Sequence, residues 1–148
     1  MISKEHLQDG MYAYGRNEAL RLREAAPGLT DTEVIAKETF IPEWRPGVQA
    51  AHALVRRAAL DQVYRVIEPG HDSTANPEWT PEAYPALFSI CHTTDPAKAK
   101  PWAAPQGTSG MYYQNECYRD ETGAVWRQIY DGGNVYDAAA MPERWERA

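Results

Sequence analysis

Four histidines, two cysteines and one Gly-His-Asp-Ser run are the residues of this chain whose types suit catalysis or metal binding. Their spacing argues against both. His6, His52, His71 and His92 stand far apart, and none belongs to a His-Glu-x-x-His pair or a His/Cys cluster at ligand spacing. His71, Asp72 and Ser73 are consecutive, whereas a catalytic triad needs side chains that converge from separate places. "DGGNVYD" (Asp131–Asp137) offers oxygen ligands and glycines but lacks the spacing of an EF-hand loop. No glycine-rich phosphate loop occurs. Nothing beside Cys91 or Cys117 marks a lowered pKa. They read as free thiols, with a bridge between them as the open alternative. The expectation is a protein that is not an enzyme, without catalytic residues, cofactor or metal.

What remains is aromatic. The chain holds five Trp and nine Tyr against two Phe. Trp and Tyr join a large apolar body to a polar tip, which suits contact surfaces as well as half-buried positions. The densest stretch is "NPEWTPEAYPALF", Asn76–Phe88. Its prolines forbid a helix or a central strand, and its rings are too many for an ordinary solvated loop.

The wider composition narrows the classes. A chain of 148 residues holds one domain or two small ones. The net charge is −6 with Lys and Arg scattered, which argues against a nucleic-acid binder. No segment approaches the roughly 18 apolar residues of a membrane span, so membrane insertion is not expected. "MISKEHLQDG" lacks the apolar core of a signal peptide. The expected location is a cytoplasm, unless the protein leaves by lysis or within a larger particle.

The elements that must position these rings fall into four stretches. Residues 1–47 are a helical segment and linker. Residues 1–16 are a polar lead-in. Asn17 is placed to cap a short helix with Ala19, Leu22 and Ala26 on one face. Thr30 and Glu33 have the spacing of a capping box, and Leu29 and Val34 that of a hydrophobic staple, predicting a helix from Asp31 to about Thr39. "IPEWRPG" (Ile41–Gly47) closes this part as an extended linker pinned by Trp44. Residues 48–92 form a first β module, with strands at "HALVRR", "QVYRVI" and Leu87–Cys91. Residues 93–109 read as a Pro-rich linker around Trp102. Residues 110–148 form a second β module, in which "NECYRD" and "AVWRQIY" flank a turn at Gly123. The fold class expected is mainly β with a short α-helical N-terminal segment and two small three-stranded antiparallel modules in tandem.

Tandem modules are expected because the chain repeats itself. Trp79, Pro85 and Phe88 align without a gap on Tyr136, Pro142 and Trp145. Upstream, Val63–Ile67 matches Val125–Ile129, and "ALVRRA" lies where "ECYRDE" lies. Such periodicity is read before any other fold signal.

The pattern "VYRVI…H…WTPEAYPALF", followed by "VWRQI" and "DGGNVY", resembles small repeated modules of phage and prophage tail-region proteins. Those modules are similar to chitin-binding type-3 domains, carbohydrate-binding family 5/12. The resemblance spans Ile41 to the C-terminus, and "WTP…PALF" is its most specific part. It implies a three-stranded module whose surface aromatics stack on sugar rings, with no catalysis. "AALD" replaces the family's aromatic-Gly turn, and the adjacent double Trp of chitin binders is absent.

Sugar contact needs exposed flat rings with polar groups alongside. Trp79 with Asn76 and Glu78, and Tyr136 with Asn134 and Asp137, fit that requirement. The same rings also suit closing a core that is small in modules of this size. Phe88 and Trp145 are expected as core. The partners implied are a polysaccharide or cell-surface glycan, phage tail proteins, or a second copy of the chain. The location implied is the virion tail, or the host cytoplasm during assembly. The competing class is a structural or assembly protein that uses its aromatic and Pro-rich segments for protein contacts.

Overall fold

The computed structural model describes residues 4–148, with side chains from residue 14 onward. The fold is mainly β, with sheets of two, three and four strands and a helical N-terminal segment. Helix α1 runs from Lys4 to Ala25. It is longer than expected: Asn17 does not cap it but sits exposed within it. An exposed Asn costs a helix only a few tenths of a kcal/mol, about as much as other middling residues. Leu22 and Ala26 turn inward as their spacing requires. Helix α2 spans Asp31–Ala36 and starts with the capping box: Glu33 N–H donates to Thr30 Oγ1, and Glu33 Oε1 accepts from Thr30 N–H. Leu29 packs on the cluster that holds Val34. The helix stops at Lys37, and Glu38–Phe40 continue as a single 3-10 turn.

The strands are β1 (Val48–Ala50), β2 (Leu54–Arg57), β3 (Gln62–Val66), β4 (Gly70–Asp72), β5 (Phe88–Ile90), β6 (Lys100–Pro101), β7 (Cys117–Arg119), β8 (Val125–Gln128) and β9 (Trp145–Arg147). β1 pairs with β4 as an antiparallel ribbon. β2, β3 and β5 form an antiparallel sheet with β3 central. The third sheet has the order β6-β7-β8-β9, with β6 parallel to β7 and the other pairs antiparallel.

β3 is covered on both faces, as a central strand flanked by two layers must be. Val63 joins Leu22, Ala26, Val34, Ile35, Ile41, Leu54 and Cys91 in a core against the helices. Arg65, on the same face, donates to the carbonyls of Ala26 and Leu29 at 2.6 Å each and to Asp31 Oδ1 at 3.1 Å. That guanidinium ties the turn after α1 to the sheet: it serves the Leu29 carbonyl and adds a second donor to Ala26 O, which also accepts from Leu29 N–H. Tyr64 and Val66 point the other way, into a second core with Trp44, Val55 and Phe88. The helical segment is therefore packed on the first sheet, and no packing boundary falls at residue 47.

The two larger sheets share their hydrogen-bond pattern. Val55 pairs with Tyr64 and Tyr118 with Trp126; Val66 pairs with Phe88 and Gln128 with Trp145. His52 and Asn115 both have positive φ, and their N–H groups donate to Val66 O and Gln128 O at 2.9 Å. Tyr84 N–H donates to Thr80 O, and Met141 N–H to Asp137 O. Apart from His52 and Asn115, which lie one residue upstream of the aligned stretches, these pairs fall at positions that the two halves of the sequence align.

The correspondence begins further upstream than the sequence suggested. Glu43 forms a parallel bridge with Arg56, and Pro101 pairs in parallel with Arg119. Trp44 N–H donates to Arg56 O at 2.9 Å, and Trp102 N–H donates to Arg119 O at 3.1 Å. Both segments expected as linkers thus lie along a sheet edge. Each delivers a Trp into the core beneath it. In residues 93–109, Thr93 bridges Cys117, and Lys100 is buried among Glu38 and Asp61.

Candidate functional site

The core of the third sheet is a ring cluster. Trp102, Tyr112, Tyr118 and Trp145 pack so that their centroid separations all lie between 4.8 and 6.2 Å. Tyr112 is stacked on both faces, by Trp102 at 4.9 Å and by His92 at 3.7 Å. Edge-to-face and offset contacts of this kind each add about 1 kcal/mol beyond area burial. Phe88 and Trp145 are buried, at 1% and 4% exposure.

Tyr136 stands outside this cluster with its side 48% exposed. Its backbone is held at both ends. Its N–H donates to Asn134 Oδ1 at 3.0 Å, and its carbonyl accepts from Trp145 Nε1 at 2.9 Å. Asn134 is fully buried, which corrects its expected role beside a ligand. It positions Tyr136 instead, and also accepts from Arg144 Nη1 at 3.2 Å. Sequence reasoning missed this because Asn is usually a surface residue.

Trp79 is half-buried. Its ring lies 5.8 Å from Tyr84 and 6.4 Å from His71. Asn76 is half-buried too, and its carbonyl accepts from Trp79 N–H at 3.1 Å, closing a tight turn. Trp79 and Tyr136 therefore occupy aligned positions but differ in exposure.

Other rings reach solvent near Tyr136. Tyr113 is 51% exposed, while its neighbour Tyr112 is buried, so the adjacent pair faces opposite ways. Tyr130 is half-covered: the Arg144 guanidinium sits 3.9 Å from its ring centroid, a cation–π contact. The turn between these rings packs closely on Met111. A Cβ at Gly133 would meet Met111 Cε at 2.7 Å.

The residues suited to catalysis do not converge. His71 faces Phe88 at 5.1 Å, Asp72 accepts from Thr74, and Ser73 bonds Gly47. His92 Nε2 lies 2.9 Å from Gly110 O, and burial lowers its pKa. Cys91 and Cys117 are both free and buried, and burial pushes both thiols up. Glu116 accepts from Tyr113 N–H at 2.7 Å, and burial raises its carboxyl to about 7. Among the described residues no three His, Cys, Asp or Glu are placed to hold a metal ion. No described helix is long and apolar enough to cross a membrane.

No protein-family model matches the chain, and a search of curated proteins found no match.

Proposed function

We propose that this chain is a non-enzymatic protein of a phage or prophage tail, built from two tandem copies of one β unit, that contacts surface glycans through exposed aromatics. The observation that carries the reading is Tyr136. Its ring is 48% exposed, while its backbone is fixed at N–H and carbonyl by two buried partners. With the backbone already ordered, only the ring's own side-chain torsions remain to be fixed on stacking against a sugar. Trp79 holds the aligned position on the first sheet, so a second, weaker contact sits on the same frame. Two such contacts gain by avidity when both engage. The tail setting rests on the likeness of "WTP…PALF" to tail-region modules, and implies a place in the virion or in the host during assembly. Glycan-array screening tests it: wild type binds a defined glycan set, and Tyr136→Ala loses most of the signal. An array blank for wild type at high concentration would sink the reading.

A second reading has its own observation. Helix α1 leaves two apolar side chains exposed on different sides, Tyr14 at 62% and Leu20 at 45%, each an anchor suited to a protein partner in a tail assembly or a second copy of the chain. Light scattering behind size exclusion tests the second copy. A monomer for wild type, with no change on Leu20→Asp, counts against self-association.

A further inference from the structure

A cleft of about 400 Å³ opens between the first sheet and the segment that follows β6. Tyr64, Pro81, Glu82 and Pro85 line one side, and Trp102 and Ser109 the other. Neither Tyr64 nor Trp102 was a candidate for ligand contact by sequence, because each lies on an element that reads as framework.

Tyr64 is the unusual group. It is 5% exposed, and among the described residues no hydrogen-bond partner occurs for its hydroxyl. The other two buried tyrosines are satisfied: Ala103 N–H donates to Tyr112 Oη at 3.3 Å, and Ala138 N–H donates to Tyr118 Oη at 2.9 Å. The Tyr64 oxygen is not among the buried polar atoms left without a partner, so the 5% of the residue that stays exposed includes the hydroxyl, which faces the open cleft and is free to bond what enters it. Burial, and then the nearby Glu82 charge, push the Tyr64 phenol up to about 12. It is protonated at neutral pH and able both to donate and to accept.

The charge of the cleft restricts what enters. Among the described residues no Lys, Arg or His lines it. Arg57, nearby, is spent on Glu82, donating to both carboxylate oxygens at 2.6 and 3.0 Å. An anion would find a carboxylate and no free cation. Glu82 itself is held in place, since its carbonyl accepts from Gln106 Nε2 at 3.0 Å across the cleft rim. The walls are rings and prolines, the polar groups few. The volume is that of a small-molecule site rather than of a peptide groove.

We infer that this cleft binds one neutral, hydroxyl-rich ring, a saccharide unit, with its apolar face against Trp102 and the prolines and a hydroxyl on Tyr64 Oη. The inference rests on the carbohydrate reading and adds to it a second subsite between the two sheets.

Tyr64→Phe tests it sharply, because the lost hydroxyl bonds nothing in the fold and the variant keeps its stability. The probes are methyl glycosides of glucose, galactose and N-acetylglucosamine, and their short oligomers. Binding is followed by the indole cross-peaks in protein NMR. The expected result is a shift of the Trp102 indole on titration, and affinity about five- to tenfold weaker in Tyr64→Phe. Ser109→Tyr, which fills the cleft, abolishes that shift. Binding that Tyr136→Ala removes and Tyr64→Phe leaves unchanged overturns the cleft and keeps the exposed-ring reading. Binding lost in Tyr64→Phe but kept in Tyr136→Ala supports the cleft and overturns the exposed-ring contact. No Trp102 shift with any glycoside overturns the cleft as a sugar site.

Discussion

Lys100 Nζ lies 2.8 Å from Asp61 Oδ1, and the same ammonium meets the Glu38 carboxylate. Three parts of the chain converge there: the turn after α2, the turn between β2 and β3, and strand β6. Arg119 Nη2 adds a fourth at 3.1 Å from Asp61 Oδ2. Lys100 is buried at 4% exposure, so its charge depends on these partners.

Lys100→Ala leaves two carboxylates facing each other with one counter-ion fewer. Breaking a buried pair from one side costs about 3–5 kcal/mol. The lower end applies, because Asp61 is nearly half exposed and water screens it. Urea unfolding should show a markedly lower midpoint. A midpoint within error of wild type would mean the convergence contributes nothing.

Trp102→Ala removes one of four rings that all touch, and takes away one face of the Tyr112 stack. The expected loss is about 3 kcal/mol, the low end for Trp to Ala because Trp102 is only half-buried. Near-UV circular dichroism should lose its aromatic signature even where the far-UV spectrum persists. An unchanged near-UV spectrum would contradict the cluster.

His92 and Glu116 act in opposite directions on the pH dependence of stability. Burial lowers the His92 pKa from 6.5. The unfolded chain then binds a proton that the folded one refuses, so this contribution is present above pH 6.5 and lost as pH falls through the lowered value. His71 is lowered too, chiefly by burial, and has the same sign. Burial raises the Glu116 pKa from 4.5 to about 7. Its contribution is full below pH 4.5 and lost as pH rises through about 7. Glu116→Gln should therefore raise the urea midpoint at pH 8, where wild type holds a buried carboxylate, and change it little at pH 4.5. Equal shifts at both values would refute the raised carboxyl.

The thiols of Cys91 and Cys117 should be silent toward Ellman's reagent in the native protein. Both are buried, at 0% and 1% exposure, and both are held protonated by burial, whereas the thiolate is the reactive form. Denaturation should release two thiols per chain. Rapid native labelling of either would contradict its burial.

What the sequence made legible was local. Thr30 and Glu33 lie three apart and form their box without outside help. Gly123 takes φ +86 in the turn between β7 and β8, as a turn glycine does. The alternating runs of β3 and β8 stand where their β-branched and aromatic residues put them. What stayed hidden was nonlocal. β6 is two residues long and contains a proline; only its parallel partner β7 makes it a strand. Trp102 belongs to a core because Tyr118 and Trp145 arrive there from distant positions. Of the candidate site, the sequence marked Tyr136 as a ring for either surface or core, and its exposure was settled only by the fold. The burial of Asn134 was not readable: its bond to Tyr136 N–H is local, but its pairing with Tyr112 and its bond from Arg144 come from distant parts of the chain.

The edge segments that carry Trp44 and Trp102 have one more consequence. The stretch between the two larger sheets is itself woven into the second, and ion pairs lock it to the first. No slack tether sets their separation. Any spacing between points on the two sheets is a fixed gauge of the folded chain, unlike that of modules on a flexible string. Under the proposed reading, a polymer that bridged both sheets would have to offer a matching period.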